Sequence, residues 1–503
     1  MLWTLAAMLV LSCRQTMVPE EYTDSQMLPK IYPDYIDVTI PVNIAPLSFE
    51  LLLKVDQAVI RYSAEGEEIV CGGVKACPDI DDWKSLTTKA TGKKITVEVF
   101  AKKGEEWLRF KPFSIHVSPD SIDAYMSYRL ISPSFVAYEE LTLNQRCLEN
   151  YDETVMVDNM LCSTESGGQC VNCHNYQQYN PDRMQFHARQ NHGGTIIVYD
   201  GKAEKIDMTN DSLISAGVYP AWHPWLPFIA YSTNKTMQSF HTSDINKIEV
   251  LDSESDLVVY DVVHHEVKAI EQGPDELEIF PFWAPDGKHL YYCSAHFEYK
   301  TDSNENEEII LRAKELKYNI YRKSFDPKTH TFGERELVFD AASMDRSATL
   351  PRISPDGRWL MFTLGEWGCF HIWHRDADLW MMDLHTDLQL DESTAEVARA
   401  IQTINSDNTE SYHSWSSNSR WVVFSSRRND GVFTRPFIAH VDSNGLFSKP
   451  FELPTKNPDY HRQLLKSYNV PELMRGPVQY TPQEFADLLK SPGTPVKYVS
   501  RLK

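Results

Sequence analysis

The chain has 503 residues, 42% of them hydrophobic and 12% aromatic, which is enough to bury more than one core. Its 71 acidic against 49 basic residues leave a formal charge of −22, a balance that repels nucleic acid and anionic lipid headgroups. Beyond the N-terminus no run reaches the roughly 18 apolar residues of a membrane span, so any membrane attachment has to come from the first residues.

Residues 1–12 are short and apolar and end at Ser12-Cys13, without a Lys or Arg ahead of the apolar run. This segment resembles a bacterial lipoprotein signal. The resemblance implies cleavage before Cys13, acylation of that cysteine and a lipid tether to the membrane, with residues 13–29 as a flexible spacer. An ordinary signal peptide is the alternative. Either route exports the chain to an oxidising compartment, where cysteines pair unless chemistry holds them otherwise. Nearest-neighbour pairing suggests Cys71 with Cys77 and Cys147 with Cys162, while Cys293 and Cys369 read as buried thiols.

Residues 30–117 alternate apolar and polar positions in short runs, as in Ile36–Ile40, Phe49–Leu53 and Ile95–Phe100. Such strands, split by turn residues, predict an immunoglobulin-like β-sandwich. Residues 118–192 change character, with Ser118-Pro-Asp-Ser-Ile-Asp123 predicting the start of a helix in a connector between two domains.

From residue 215 a unit recurs. Tyr219-Pro-Ala-Trp, Phe280-Pro-Phe-Trp, Leu350-Pro-Arg-Ile and Tyr412-His-Ser-Trp each precede a turn, and the turns of the middle two copies carry Pro-Asp-Gly. Each turn leads into an alternating strand: Phe228–Ser232, His289–Ser294, Trp359–Thr363 and Trp421–Ser426. Proline presets φ, Asp-Gly supplies the positive-φ residue, and further strand signals follow each copy, which predicts four-stranded propeller blades. The unit resembles the WD40-like repeats of the TolB-type propeller family, whose members are typically six-bladed. Four full blades and a half-visible fifth at Gly193–Lys202 favour five blades over residues 193–455, with six as the alternative. The tail, 456–503, shows little strand character and a helix signal at Thr481–Leu489.

Directly before the fifth blade stands Cys170-Val-Asn-Cys173-His174. Two thiols at this spacing can each form a thioether to a haem vinyl group, with the adjacent histidine as axial ligand, so one covalent haem c is expected. A disulfide or redox dithiol is one alternative, and zinc with help from Cys162 and His187 is another. Met184–Arg189 reads as a strand that sends Met184, Phe186 and Ala188 to one face and Gln185, His187 and Arg189 to the other. His187 is therefore the expected distal ligand, Met184 and His192 are alternatives, and Arg189 is placed to pair with a propionate. A further cluster, Cys369, His371, His374, Asp376 and Asp378, falls between two strands and reads as a loop or a metal or substrate site.

The order of Tyr128-Arg-Leu-Ile, Gln145-Arg, the CVNCH motif and the Gly-Gly-Thr at 193–195 resembles a set of Bacteroidetes lipoproteins with TolB-like propellers. The resemblance implies a periplasmic or outer-membrane location and assigns no reaction. The leading expectation is a lipid-anchored mono-haem cytochrome whose propeller docks a redox partner or other envelope protein, in electron transfer or redox sensing. An envelope protein- or glycan-binding scaffold and an oxidoreductase with its site on the propeller face are the alternatives.

Overall fold

The computed structural model describes residues 16–133, 140–163, 168–273, 275–300, 304–385 and 398–499. Cys13 and the signal segment lie outside these residues. Strands dominate, as the alternating sequence requires.

In the N-terminal domain a seven-stranded sheet built around Lys94–Lys103 and Gln57–Ala64 faces a small sheet of Ile31–Tyr32, Phe49–Leu51 and Lys75–Ala76. The helix Ile80–Lys89, which the sequence reading did not anticipate, is capped by Asp79 and buries Trp83 and Leu86 in the same core. That core is shared with the propeller: Trp421, Val423, Ile438 and Tyr468 pack with Ile60, Tyr62 and Val97. The Trp421 indole N–H donates to Asp120 O at 3.2 Å, fixing the join.

Six four-stranded antiparallel blades surround one axis, so the count is the larger of the two expected. Blade 2 is Val171–Tyr176, Met184–Ala188, Gly194–Tyr199 and Lys202–Asp207, and blade 3 is Val218–Trp222, Phe228–Phe240, Ile248–Asp261 and Glu266–Glu271. Blades 4, 5 and 6 open on Glu276–Trp283, Ser347–Ile353 and Glu410–Trp415. Blade 1 is assembled from both ends of the region. Tyr125–Ile131, Thr142–Cys147 and Glu153–Asp158 form its outer three strands, and Ser467–Met474 from the C-terminal segment forms the innermost. The six inner strands neighbour one another in a closed ring, with Ser467–Met474 between those of blades 6 and 2.

The segment read as a helical connector is therefore blade 1 and the first half of blade 2. No helix opens at Ser118; Asp123 instead receives the Ser417 amide and hydroxyl at 2.7 and 2.6 Å, tying the chain to blade 6. The tail contributes the closing strand and then the helix Pro482–Lys490, whose Thr481–Glu484 capping box fixes its start. Phe485, Ala486 and Leu489 of that helix fill the core against Phe186 and Val198 of blade 2.

One local device repeats in all six blades. Each inner strand carries a two-residue bulge whose first residue has positive φ: Cys173 (56°), Tyr219 (50°), Phe280 (53°), Leu350 (54°), Tyr412 (45°) and Val470 (51°). The second residue is proline in four blades (Pro220, Pro281, Pro351, Pro471) and histidine in two (His174, His413). Opposite every bulge a fully buried aromatic stands on the next strand: Phe186, Tyr231, Tyr292, Phe362, Phe424 and Tyr128. An extra residue bends the strand and sharpens its twist, and proline suits the site because it needs no ladder hydrogen bond.

Candidate functional site

The bulges line an axial channel. Cys173, Tyr219, Phe280, Leu350, Tyr412 and Val470 ring its narrow middle, and two positions further along Asn175, Ala221, Phe282, Arg352, Ser414 and Glu472 line the next level. Arg352 pairs with Glu472 at 3.3 Å there, and Glu472 also accepts from the Ser414 hydroxyl at 3.1 Å. Burial raises the Glu472 carboxyl above its ordinary range, with Arg352 opposing.

At one end the channel widens into a cavity of about 240 Å³ lined by Cys170, Cys173, Arg129, Arg189, Tyr219 and Tyr412, among others. A second cavity of about 600 Å³ adjoins it through Arg189 and Thr236 and reaches His187. The roof is a hairpin extension of blade 3, whose two middle strands run to 13 and 14 residues. Thr236, Met237, Gln238 and Val250 of this extension line the mouth cavity. Its far end is fastened to the 366–377 segment of blade 5. The His374 imidazole donates from Nε2 to Glu249 at 2.8 Å with both side chains buried, and the Cys369 thiol donates to Val250 O at 3.4 Å. His371 turns away to Thr349 Oγ1 and Trp367 O and Asp376 accepts from the Glu366 amide, so within that cluster Cys369 and His374 are the residues that fasten the hairpin. Among the described residues no three His, Cys, Asp or Glu side chains converge as a metal-binding group.

Cys170 and Cys173 are both buried thiols that open on the mouth cavity. Burial pushes the Cys173 thiol up, while Arg189 and Arg129 pull it back. Asp252, beside Arg189, is fully buried and accepts from Asn234 and Thr236 at 2.8 and 2.6 Å. Its burial raises its pKa to about 6, with the Thr236 and Asn234 hydrogen bonds and the Arg189 charge opposing. His187 lies on the face of its strand that the alternation predicted, pairing through Nδ1 with Thr195 Oγ1 at 3.0 Å. Burial, helped by Arg189, lowers its pKa to about 3, leaving a neutral imidazole. Met184, with Phe186 and Ala188, packs in the core between blades 1 and 2, and so does not face the mouth cavity. His192 is half-buried in a short 3-10 turn, and its backbone amide donates to Gln169 Oε1.

His174 decides how a haem could sit here. Its ring lies on the blade 1 side of the strand, near the Ser127 and Val470 backbones, whereas the Cys173 sulfur lies on the blade 3 side, near the Tyr219 amide. His413 occupies the corresponding place in blade 6, where its Nε2–H donates to Met361 O in the second strand of blade 5. His174 likewise reaches the second strand of the preceding blade. The imidazole thus leaves the strand toward blade 1 and the Cys173 thiol toward blade 3, although both residues line the narrow middle of the channel. In favour of a ligand role, neither His174 nitrogen makes a hydrogen bond of normal geometry, and burial with Arg129 nearby lowers its pKa to about 3.

The disulfide expectations divide. Cys71 and Cys77 lie close, with the Cys77 amide directed at the Cys71 sulfur. Cys147 and Cys162 do not meet. Cys162 hangs from Asn159 beside Leu141 at the start of Thr142–Cys147, and Cys147 closes that strand. Six strand residues span roughly 17–20 Å, far beyond the roughly 7 Å Cα limit for a bridge. The Cys162 thiol instead donates to Ala486 O, which also removes it from any zinc set with Cys170 and Cys173.

No family model matches the sequence, and no curated relative matches it. Among solved structures, prolyl oligopeptidase B from Galerina marginata aligns over 81% of this chain and 54% of its own, at 11% identity and a TM-score of 0.34. The Niastella koreensis GH74 enzyme aligns over 65% of this chain and 46% of its own, at 11% identity and a TM-score of 0.38. The Cps50 (Swd1) β-propeller domain of Myceliophteria thermophila aligns over 56% of this chain and 86% of its own, at 9% identity and a TM-score of 0.29. The chain spans about half the length of the first two. Likenesses at this level assign no chemistry, and the propeller rests on the strand pairing described above.

Proposed function

We propose that this chain is a ligand-binding propeller of the cell envelope, tethered by lipid at Cys13, whose axial mouth receives an acidic group of its ligand. The observation that carries the reading is the convergence of two arginines, Arg129 and Arg189, on one roofed cavity of a chain whose formal charge is −22. A cationic recess on an acidic surface focuses anions locally, and guanidinium groups suit carboxylate or phosphate. Cys170 and Cys173 lie in the same cavity and report on its occupancy.

The test is alkylation of those two thiols by iodoacetamide, followed by mass spectrometry. Inorganic phosphate or succinate should slow the reaction at matched ionic strength, and Arg189→Gln should remove most of that protection. Equal rates with and without either anion would overturn the reading.

The second reading is covalent haem c on Cys170 and Cys173, which would supply a one-electron couple for envelope electron transfer. What favours it is the pair of His174 nitrogens, buried and without normal hydrogen bonds. It asks the imidazole, which leaves the strand toward blade 1, to join the thiols.

A further inference from the structure

A separate cavity, of about 460 Å³, lies away from the mouth where blades 5 and 6 meet, within the size range of small-molecule sites. Trp373, Arg375, Asn408, Arg427, Asp430 and the hairpin residue Ile245 are among its walls. Arg427 is 1% exposed, and its Nε, Nη1 and Nη2 atoms all lack a hydrogen-bond partner. One face of its guanidinium rests on the Trp373 ring, 3.2 Å from the centroid.

Its neighbours show how unusual this is. Arg428 donates to Ser426 Oγ and to Glu410 at 2.9 and 3.0 Å, and Arg435 donates to the carbonyls of His461, Leu464 and Lys466. The carboxylate nearest in effect to Arg427 is Asp430, whose Oδ1 already accepts the amides of Val432 and Phe433 at 2.8 Å. Burial lowers the Arg427 pKa to about 9, so the group remains a cation near neutral pH. A buried guanidinium with unfilled donors destabilises the fold that holds it, and such groups are retained where an acceptor completes them.

We infer that this cavity is a binding site for a small organic carboxylate, with Arg427 as the anchor. Trp373 covers one face of the guanidinium and leaves the in-plane N–H edge, the geometry that takes a carboxylate through two parallel bonds. Asp407 and Asp430 on the wall disfavour the compact double charge of a phosphate, whereas a dicarboxylate brings one carboxylate to Arg427 and keeps its second charge out at the rim. Arg375, held by its Nε–H to Asp407 O at 3.0 Å, adds a second cation at the rim.

The experiment is thermal unfolding of the full chain with succinate, with inorganic phosphate and with chloride at equal ionic strength. Succinate should raise the Tm by several degrees, phosphate and chloride by less. Arg427→Met should raise the Tm of the free protein and abolish the succinate response, and Arg427→Lys should keep the charge but lose most of the response. A purely structural arginine gives the opposite sign, a lower Tm for Arg427→Met. That result, no response to succinate in the wild type, or an equal response to phosphate, would each overturn the proposal.

Discussion

Blades 2 and 6 place a histidine at the same point of the same bulge, after residues of positive φ, Cys173 and Tyr412, and opposite buried aromatics, Phe186 and Phe424. In blade 6 the histidine is an ordinary part of the repeat, standing where four other blades have proline and bonded to Met361 O. In blade 2 the same position completes a haem-attachment spelling. The difference lies in the first bulge residue and its surroundings: a thiol instead of Tyr, Phe, Leu or Val, a second thiol three residues before it, and two arginines in the cavity beside it. The haem-attachment spelling in blade 2 thus coincides with the two residues that form the bulge, and the strand decides which way they point.

The largest test of this comparison removes one copy of the unit altogether. Ending the chain before Ser467 takes away the Val470-Pro471 bulge, opens the ring at blade 1 and removes Tyr468, Leu473 and Met474 from the cores they fill. The loss should exceed the about 5–15 kcal/mol that a typical fold has in hand, so circular dichroism melting should show no cooperative transition.

Next in size is the pH response of Asp252, which stands on the blade 3 extension beside Arg189 of the blade 2 side. The Asp252 pKa is raised from 3.8 unfolded to about 6 folded, so the folded state holds the extra proton between those values. Stability contributed by this group therefore rises as pH falls from above 6 toward 4. Chemical denaturation should find wild type gaining about 2 kcal/mol relative to Asp252→Asn between pH 8 and pH 4.

His413→Pro should cost about 1 kcal/mol, because it strips the Met361 carbonyl of its donor. The matching His174→Pro should change stability by less than about 1 kcal/mol, since that imidazole makes no comparable bond. Smallest of all, Cys173→Val copies the residue of blade 1 into blade 2 and should lie within about 0.5 kcal/mol of wild type. A large loss from either blade 2 substitution would break the equivalence.

Much of this architecture was legible in the sequence. The unit centred on Tyr219-Pro, Phe280-Pro, Leu350-Pro and Tyr412-His marked four blades because apolar-Pro pairs and the alternating strands after them are local signals. Val470-Pro-Glu-Leu carries the same pattern, yet its partner strand, Tyr125–Ile131, is some 340 residues earlier, and pairing over that distance leaves no local trace. Cys173-His174 was masked by its own motif and by the loss of Asp-Gly, whose role Gln178 and Tyr179 take at positive φ. The aromatic opposite each bulge, Tyr128 and Phe186 included, was the available signal for both missing blades. At the mouth, the alternation from Met184 to Arg189 put Met184 and Phe186 in the packed core and His187 and Arg189 at the cavity, while Ala188 lines the cavity as well and Gln185 bonds within the sheet. Arg129 and the blade 3 roof were not legible there, because both reach the cavity from other blades. Arg427 gave no sign either, since only burial without partners sets it apart from Arg428.

Cys173 and His174 form the bulge of the inner strand of blade 2, and the proposal at stake is that the Cys170 and Cys173 thiols stay free there, at a ligand cavity. Its most direct test is the absorption spectrum and intact mass of the full chain, produced in a host with haem-attachment machinery. The account predicts a colourless protein whose Cys170 and Cys173 are both alkylated after reduction and unfolding. A Soret band that survives acid and acetone extraction, with a haem-sized mass on the Cys170–Cys173 peptide, would contradict it.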